Sequence, residues 1–221
     1  MSKAEEVIHH EAKAGWVVLA SQVPRLGGET PELAEHLLAR MDLSRVPVCL
    51  VSPPAPPELK HLLDEIETLL GVAPVLIDAA LEPPAEMARV SLLILAGGDT
   101  ANWVERLEDT LMGEVVLQAL GSGGIIMAIG PAAGSVGSWY LGGEGDEIGQ
   151  ALGWLGGALV VPGQPDPAAS AGVRRHLKVN PRAYALGLGE HTLVALGPAG
   201  EIEVWGASKP TIILGKGWSA A

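Results

Sequence analysis

Gly124-Ile125-Ile126-Met127-Ala128-Ile129-Gly130-Pro131-Ala132-Ala133-Gly134-Ser135-Val136-Gly137-Ser138 decides the reading of this chain. Ile125 to Ile129 is an apolar run of the kind that forms a buried strand. Gly130 to Gly134 reads as a tight turn, and the small residues after it can start a helix. That is the layout of a nucleophile elbow, G-x-S-x-G, where a sharp strand-to-helix turn lifts one side chain above a sheet. The central position falls on Ala132, which has no oxygen to attack with and no proton to give away.

Further strand and helix signals lie on both sides of this stretch. Upstream, Trp16–Ala20, Val46–Val51, Val75–Ile77 and Val90–Ala96 read as strands. The last is apolar enough to be covered on both faces, as parallel strands are. Between them, Leu33, Leu37, Leu38 and Met41 recur at helical spacing behind Thr30-Pro31, a cap followed by proline at the first helical position. Leu59, Leu62, Leu63, Ile66, Leu69 and Leu70 form one apolar helix face that Gly71 can close. Two more helices are expected around Trp103–Leu107 and Leu111–Leu120. Downstream the strands are short: Ala158–Val161, Tyr184–Leu188, Thr192–Leu196, Ile202–Trp205 and Thr211–Leu214. Gly197-Pro198-Ala199-Gly200 turns two of them into a hairpin. Strands alternating with helices predict an α/β fold with a doubly wound, mostly parallel sheet and a C-terminal β-hairpin extension. The short strands are expected to extend or cap that same sheet. No repeat or low-complexity linker divides residues 1–221, so one domain is expected, with residues 1–14 as a polar N-terminal arm.

Composition narrows the function classes. The chain has 221 residues, 48% of them hydrophobic, enough for a full core. Its formal net charge of −12 argues against a nucleic-acid surface and against an anionic membrane. Cys49 is the single cysteine, so no intramolecular disulfide or cysteine-rich zinc site is possible, and its apolar strand marks it as a core thiol. His9-His10 lacks a third ligand nearby, and no metal site is expected. No signal peptide or membrane-spanning run is read, so the expected location is cytoplasmic.

In an open α/β sheet, ligands bind beyond the carboxyl ends of the strands. Gly97-Gly98-Asp99-Thr100 and Gly130–Gly134 fall there, and the first could offer free amides to an anion. These two segments resemble peptidase family S51, which includes cyanophycinase and dipeptidase E and has the class I glutamine amidotransferase-like fold. The likeness is carried by Leu93-Ile94-Leu95-Ala96-Gly97-Gly98-Asp99-Thr100, by the elbow stretch, by Ala151–Val161 and by Ala185-Leu186-Gly187-Leu188-Gly189-Glu190-His191-Thr192-Leu193-Val194-Ala195-Leu196. The resemblance implies a Ser–His–acid arrangement. Its serine falls on Ala132, its histidine on or near Gly163, and its acid on Glu190. Gly97, Gly98, Asp99, Pro131, Ala133 and Gly134 are the implied pocket and oxyanion loops.

The implied protein is therefore a catalytically inactive relative that keeps a pocket for a small molecule, a peptide or a partner, without a cofactor. Two alternatives stay open. One is an amide hydrolase with a relocated nucleophile, Ser135 or Ser138, helped by His191 and Glu190. The other is a purely structural or interaction protein. A homodimer also stays open. An amidotransferase is disfavoured, because Cys49 lies in the wrong strand. Trp103, Trp139 and Trp154 are candidate cleft walls, with core packing as the competing role. His36 and His61 read as surface positions, and Arg174-Arg175-His176 as an exposed basic patch.

Overall fold

A computed structural model describes residues 15–27, 32–142 and 147–218. The polar arm, His9-His10 and the Thr30-Pro31 cap lie outside the described residues. Seven strands form the first sheet: β1 (Trp16–Ala20), β2 (Val48–Ser52), β3 (Val75–Asp78), β4 (Leu92–Gly97), β5 (Ile125–Ile129), β10 (Leu193–Leu196) and β11 (Ile202–Val204). Their order is β11-β10-β1-β5-β4-β2-β3. The five strands from β1 to β3 in that order run parallel, and β10 and β11 add the expected antiparallel hairpin. Every residue of β4 and β5 is buried, as their unbroken apolar runs require.

The helices follow from their caps. α1 (Glu32–Leu38) buries Leu33 and Leu37. α2 (Leu59–Leu70) ends on Gly71, whose φ of 71° lets its N–H reach the Glu67 carbonyl. α3 (Thr100–Leu107) starts behind Asp99, which accepts from the Asn102 N–H, and α4 (Leu111–Gly121) behind Thr110, which accepts from the Gly113 N–H.

The remaining strands depart from expectation. β6 (Gly137–Leu141), β7 (Ile148–Gln150), β8 (Leu155–Pro162), β9 (Tyr184–Leu188) and β12 (Thr211–Leu214) build a second sheet, ordered β12-β9-β8-β6-β7, rather than extending the first. The cause lies just after the elbow. Helix α5 (Pro131–Ser135) is a single turn, and Gly137 then opens β6 against β8. A Cβ on Gly137 would stand 2.6 Å from the Ala158 carbonyl oxygen, so the approach of the two strands requires glycine. α6 (Ala171–Val179) covers the second sheet with Val173 and Leu177, so Arg174 and Arg175 are exposed on an amphipathic helix while His176 is half-buried beside Trp139. One hydrophobic cluster runs from Val17 and Leu19 through Ala132 and Ala133 of α5 to Ala158 and Tyr184. The mixed α/β architecture is flavodoxin-like, and α5 is the spacer between its two sheets.

Candidate functional site

At the carboxyl ends of β1 and β5, facing the end of β8, lies a cleft of about 300 Å³. Ser21, Thr100, Gly130, Gly134, Gly163 and Gln164 are among its lining residues. Its floor is the strand-to-helix turn. Gly130 has φ 57° and ψ −120°, and its N–H donates to the Ala20 carbonyl at 2.9 Å, tying β5 to β1. The Gly130 carbonyl then accepts from the Ala133 and Gly134 N–H groups, closing the turn of α5.

The apex of the elbow is thus Gly130, two residues before the Ala132 position expected from the glycine spacing. The reason is Pro131. Its fixed φ and missing N–H suit the first helical position, so the sharp turn has to come before it. Ala132 lies inside α5, 0% exposed. A Cβ built on Gly130 would find Ser21 O at 3.8 Å as its nearest neighbour, so a side chain has room at the apex and none is there.

The walls converge on glycine and hydroxyl groups. Thr100 Oγ1 donates to the Pro131 carbonyl at 3.1 Å. A Cβ on Gly134 would stand 3.1 Å from Thr100 Oγ1 and 3.6 Å from Pro162 Cδ, so α3, α5 and β8 meet at that residue. Gly163 has φ 77°, is exposed and has open space around it. Pro131 lines the cleft too, and Ala133 is buried behind it.

Gly97, Gly98 and Asp99 are otherwise engaged. The Gly98 N–H donates to the Pro54 carbonyl at 3.2 Å, so the amide expected to be free is taken. The Gly97 carbonyl accepts from Trp103 Nε1 at 2.8 Å, which fixes Trp103 as a fully buried core residue rather than a cleft wall. Asp99 accepts from both the backbone and the side-chain amide of Asn102.

The substitute catalytic groups do not gather at the cleft. Ser135 is 0% exposed and its Oγ donates to the Ala132 carbonyl at 2.8 Å. Ser138 Oγ accepts from the Gly157 N–H at 2.8 Å. Glu190 and His191 are exposed in the turn between β9 and β10, with His191 Nδ1 3.3 Å from Gln22 Nε2. None of these four residues lines the cleft. Trp139 sits on β6, edge-on to the His176 ring at 4.5 Å, and burial holds the His176 pKa below its usual value. Trp154 is half-buried against the core cluster. His36 stacks on Trp205, its ring centroid 4.9 Å away, so it is less free than a surface reading implies, whereas His61 is exposed and pairs with Glu65. Cys49 is buried, which pushes its thiol up to about 12. Among the described residues, no group of three or more His, Cys, Asp or Glu side chains is arranged to hold a metal ion. No helix among them is long and apolar enough to cross a membrane.

Sequence reasoning missed Ser21 and Gln164 as site residues and reached Thr100 only as the end of the Gly97–Thr100 loop. The available signal was position: each directly follows a strand or a strand-end turn, where α/β sheets bind ligands. The cleft therefore holds hydroxyl and carboxamide groups, and among its described lining residues none is charged or a histidine. The described lining can hydrogen-bond a ligand, and it includes no side chain that can take a proton from a nucleophile near neutral pH.

No protein-family model matches the sequence, and no curated protein matches it either. Solved structures do. The crystal structure of a peptidase from an acI-B1 Actinobacterium aligns with a TM-score of 0.67 at 17% identity, covering 95% of this chain and 93% of that one. A protein assigned as Peptidase E from Listeria monocytogenes EGD-e aligns at a TM-score of 0.49 and 13% identity, covering 90% of this chain and 98% of that one. At such identities the likeness concerns the backbone. With the strand order, the elbow turn and the first alignment together, the chain has a peptidase-like α/β fold.

Proposed function

We propose that this protein is an S51 peptidase-like pseudoenzyme that binds a small molecule or peptide in the cleft over Gly130 and does not hydrolyse it. The observation that carries the reading is the apex. In a nucleophile elbow, the strained turn exists to hold the attacking side chain above the sheet. Here that turn belongs to a glycine, with room for a side chain and no oxygen. Gly163, where the resemblance puts the histidine, lines the same cleft. Loss of the nucleophile or the base of such a unit costs on the order of 10⁶ in turnover.

A relocated nucleophile is the weaker reading. Ser135 is buried and Ser138 is bound to a backbone amide, and both lie outside the cleft. A purely structural role is also weaker, because the cleft has not filled with side chains. The test is turnover of a panel of aspartyl dipeptides and β-linked dipeptides by the purified full chain, read by mass spectrometry. The reading expects no release of amino acids above the uncatalysed rate. Turnover that survives repurification and is lost in Ser135→Ala or Ser138→Ala would replace it with the hydrolase reading.

A further inference from the structure

β12 is an edge strand of the second sheet, paired with β9 on one side and with no strand on the other. Its sequence, Thr211-Ile212-Ile213-Leu214, carries neither the proline nor the charge that commonly protects an open edge. Two hydrogen bonds just beyond it show which backbone groups are open. The Gly215 N–H donates to the Ala183 carbonyl at 2.9 Å, and the Gly217 N–H to the Pro181 carbonyl at 2.8 Å. Bonding direction alternates along an antiparallel strand, so Ile212 and Leu214 direct their N–H and C=O groups away from β9.

The side chains at this edge are apolar as well. Ile212 stands across from Leu186 and Leu214 from Tyr184, and both partners belong to the large core cluster. On β11, the edge strand of the first sheet, Ile202 stands across from Leu196 and Val204 from Val194, again members of that cluster. Cross-strand partners share a face, so all four side chains lie on the core-facing sides of their sheets. Each is nonetheless between 43% and 46% exposed. The core shared by the two sheets is thus incompletely covered at both edges. β11 carries Glu203, which is paired with Arg40, whereas β12 carries no charge.

Cations bracket β12. Lys209 precedes it, and Lys216 and Arg182 sit on the two turns that the Gly215 and Gly217 bonds fasten together. All three are exposed, and among the described residues none of their side chains has a hydrogen bond or an ion pair. In a chain of net charge −12, that concentration of unpaired positive charge selects a partner. Because both ends of the strand are positive, pairing β12 with β12 of a second copy brings cations together in either direction. An acidic segment instead meets a counter-charge at each end, and a basic one is rejected. We propose that β12 accepts an extended, acidic segment of a partner protein as an added strand, bonded to the Ile212 and Leu214 backbone, covering their side chains, and placing carboxylates at Lys209, Lys216 and Arg182. The surface is separate from the cleft over Gly130, none of whose described lining residues belongs to β12.

The experiment titrates the full-length protein with an N-acetylated, C-amidated peptide of alternating valine and threonine with two glutamates at each end, and with its lysine counterpart, followed by amide chemical shifts. The acidic peptide is expected to shift the Ile212 and Leu214 amides saturably, with an affinity that falls as salt is raised. The lysine peptide is expected to leave them in place. Ile212→Pro removes an outward N–H and keeps the bonds to β9, so it is expected to fold and to bind the acidic peptide about tenfold more weakly. The combined variant Arg182→Glu, Lys209→Glu and Lys216→Glu breaks no side-chain bond of the fold and is expected to exchange the preference, the lysine peptide then binding better. No shift at β12 up to the solubility limit, shifts confined to Gly130 and Gly163, equal binding of both peptides, or unchanged affinity in both variants would overturn the inference. Self-association of the parent that is lost in Ile212→Pro would make a second copy the occupant and overturn it as well.

Discussion

Substituting Gly130→Ala tests whether the elbow turn is held at that residue. The added methyl meets nothing, its nearest neighbour being Ser21 O at 3.8 Å, so its effect is almost purely conformational. With φ 57° and ψ −120°, an alanine there carries strain of about 1–3 kcal/mol. Loss of glycine's freedom in the unfolded chain offsets roughly 0.4–1 kcal/mol of that. The net destabilisation is on the order of 1–2 kcal/mol, or a fall in Tm of about 2–8 °C for a chain of this size. Urea unfolding followed by tryptophan fluorescence measures it, with the m-value expected to stay constant. The control is Gly121→Ala, at the end of α4, where φ is not positive and a Cβ has open space. The same chemical change there is expected to stabilise, by up to about 1 kcal/mol. If Gly130→Ala were as stable as the parent while Gly121→Ala behaved as stated, the apex would not be where this account puts it.

Three further outcomes follow from local geometry. Ser135→Ala removes the buried bond to the Ala132 carbonyl and should cost about 0.5–1.5 kcal/mol in urea unfolding, without altering ligand shifts in the cleft. The Cys49 thiol, raised to about 12 by burial, should resist a disulfide exchange reagent in the folded protein at pH 8 and react only as the chain unfolds, so fast stoichiometric labelling in native buffer would contradict its placement. For His176, burial lowers the folded pKa below 6.5, so the unfolded chain binds the proton first. Its contribution is therefore fully present above about pH 6.5 and shrinks as pH falls toward the folded pKa. The slope of stability against pH in that window should flatten in His176→Gln.

The first sheet was legible because its signals are local. Apolar runs at β4 and β5, the Leu59–Leu70 face and the Gly71 stop each specify their element without help from distant residues. The second sheet was not, because β6 begins at a glycine pressed against the Ala158 backbone, and nothing in Gly137-Ser138-Trp139 announces that contact. The site was half legible. The strand, the turn and the cleft position were readable from Ile125–Gly134, but counting glycines set the apex on Ala132, whereas proline's preference for the first helical position sets it on Gly130. By sequence alone the Gly97-Gly98 loop looks free to offer its amides. Its partner is the Pro54 carbonyl, more than forty positions earlier, a pairing that only the parallel register of β2 and β4 reveals.

The most direct test of the account is the intact mass of the native full-length protein after prolonged exposure to a fluorophosphonate probe, with heat-unfolded protein as the background. An elbow whose apex is glycine, over a cleft with no histidine among its described lining residues, predicts no adduct above that background. Stoichiometric phosphonylation of the native protein at any serine, Ser21 included, would show that a serine in this chain is activated and would contradict the claim that its chemistry has been lost.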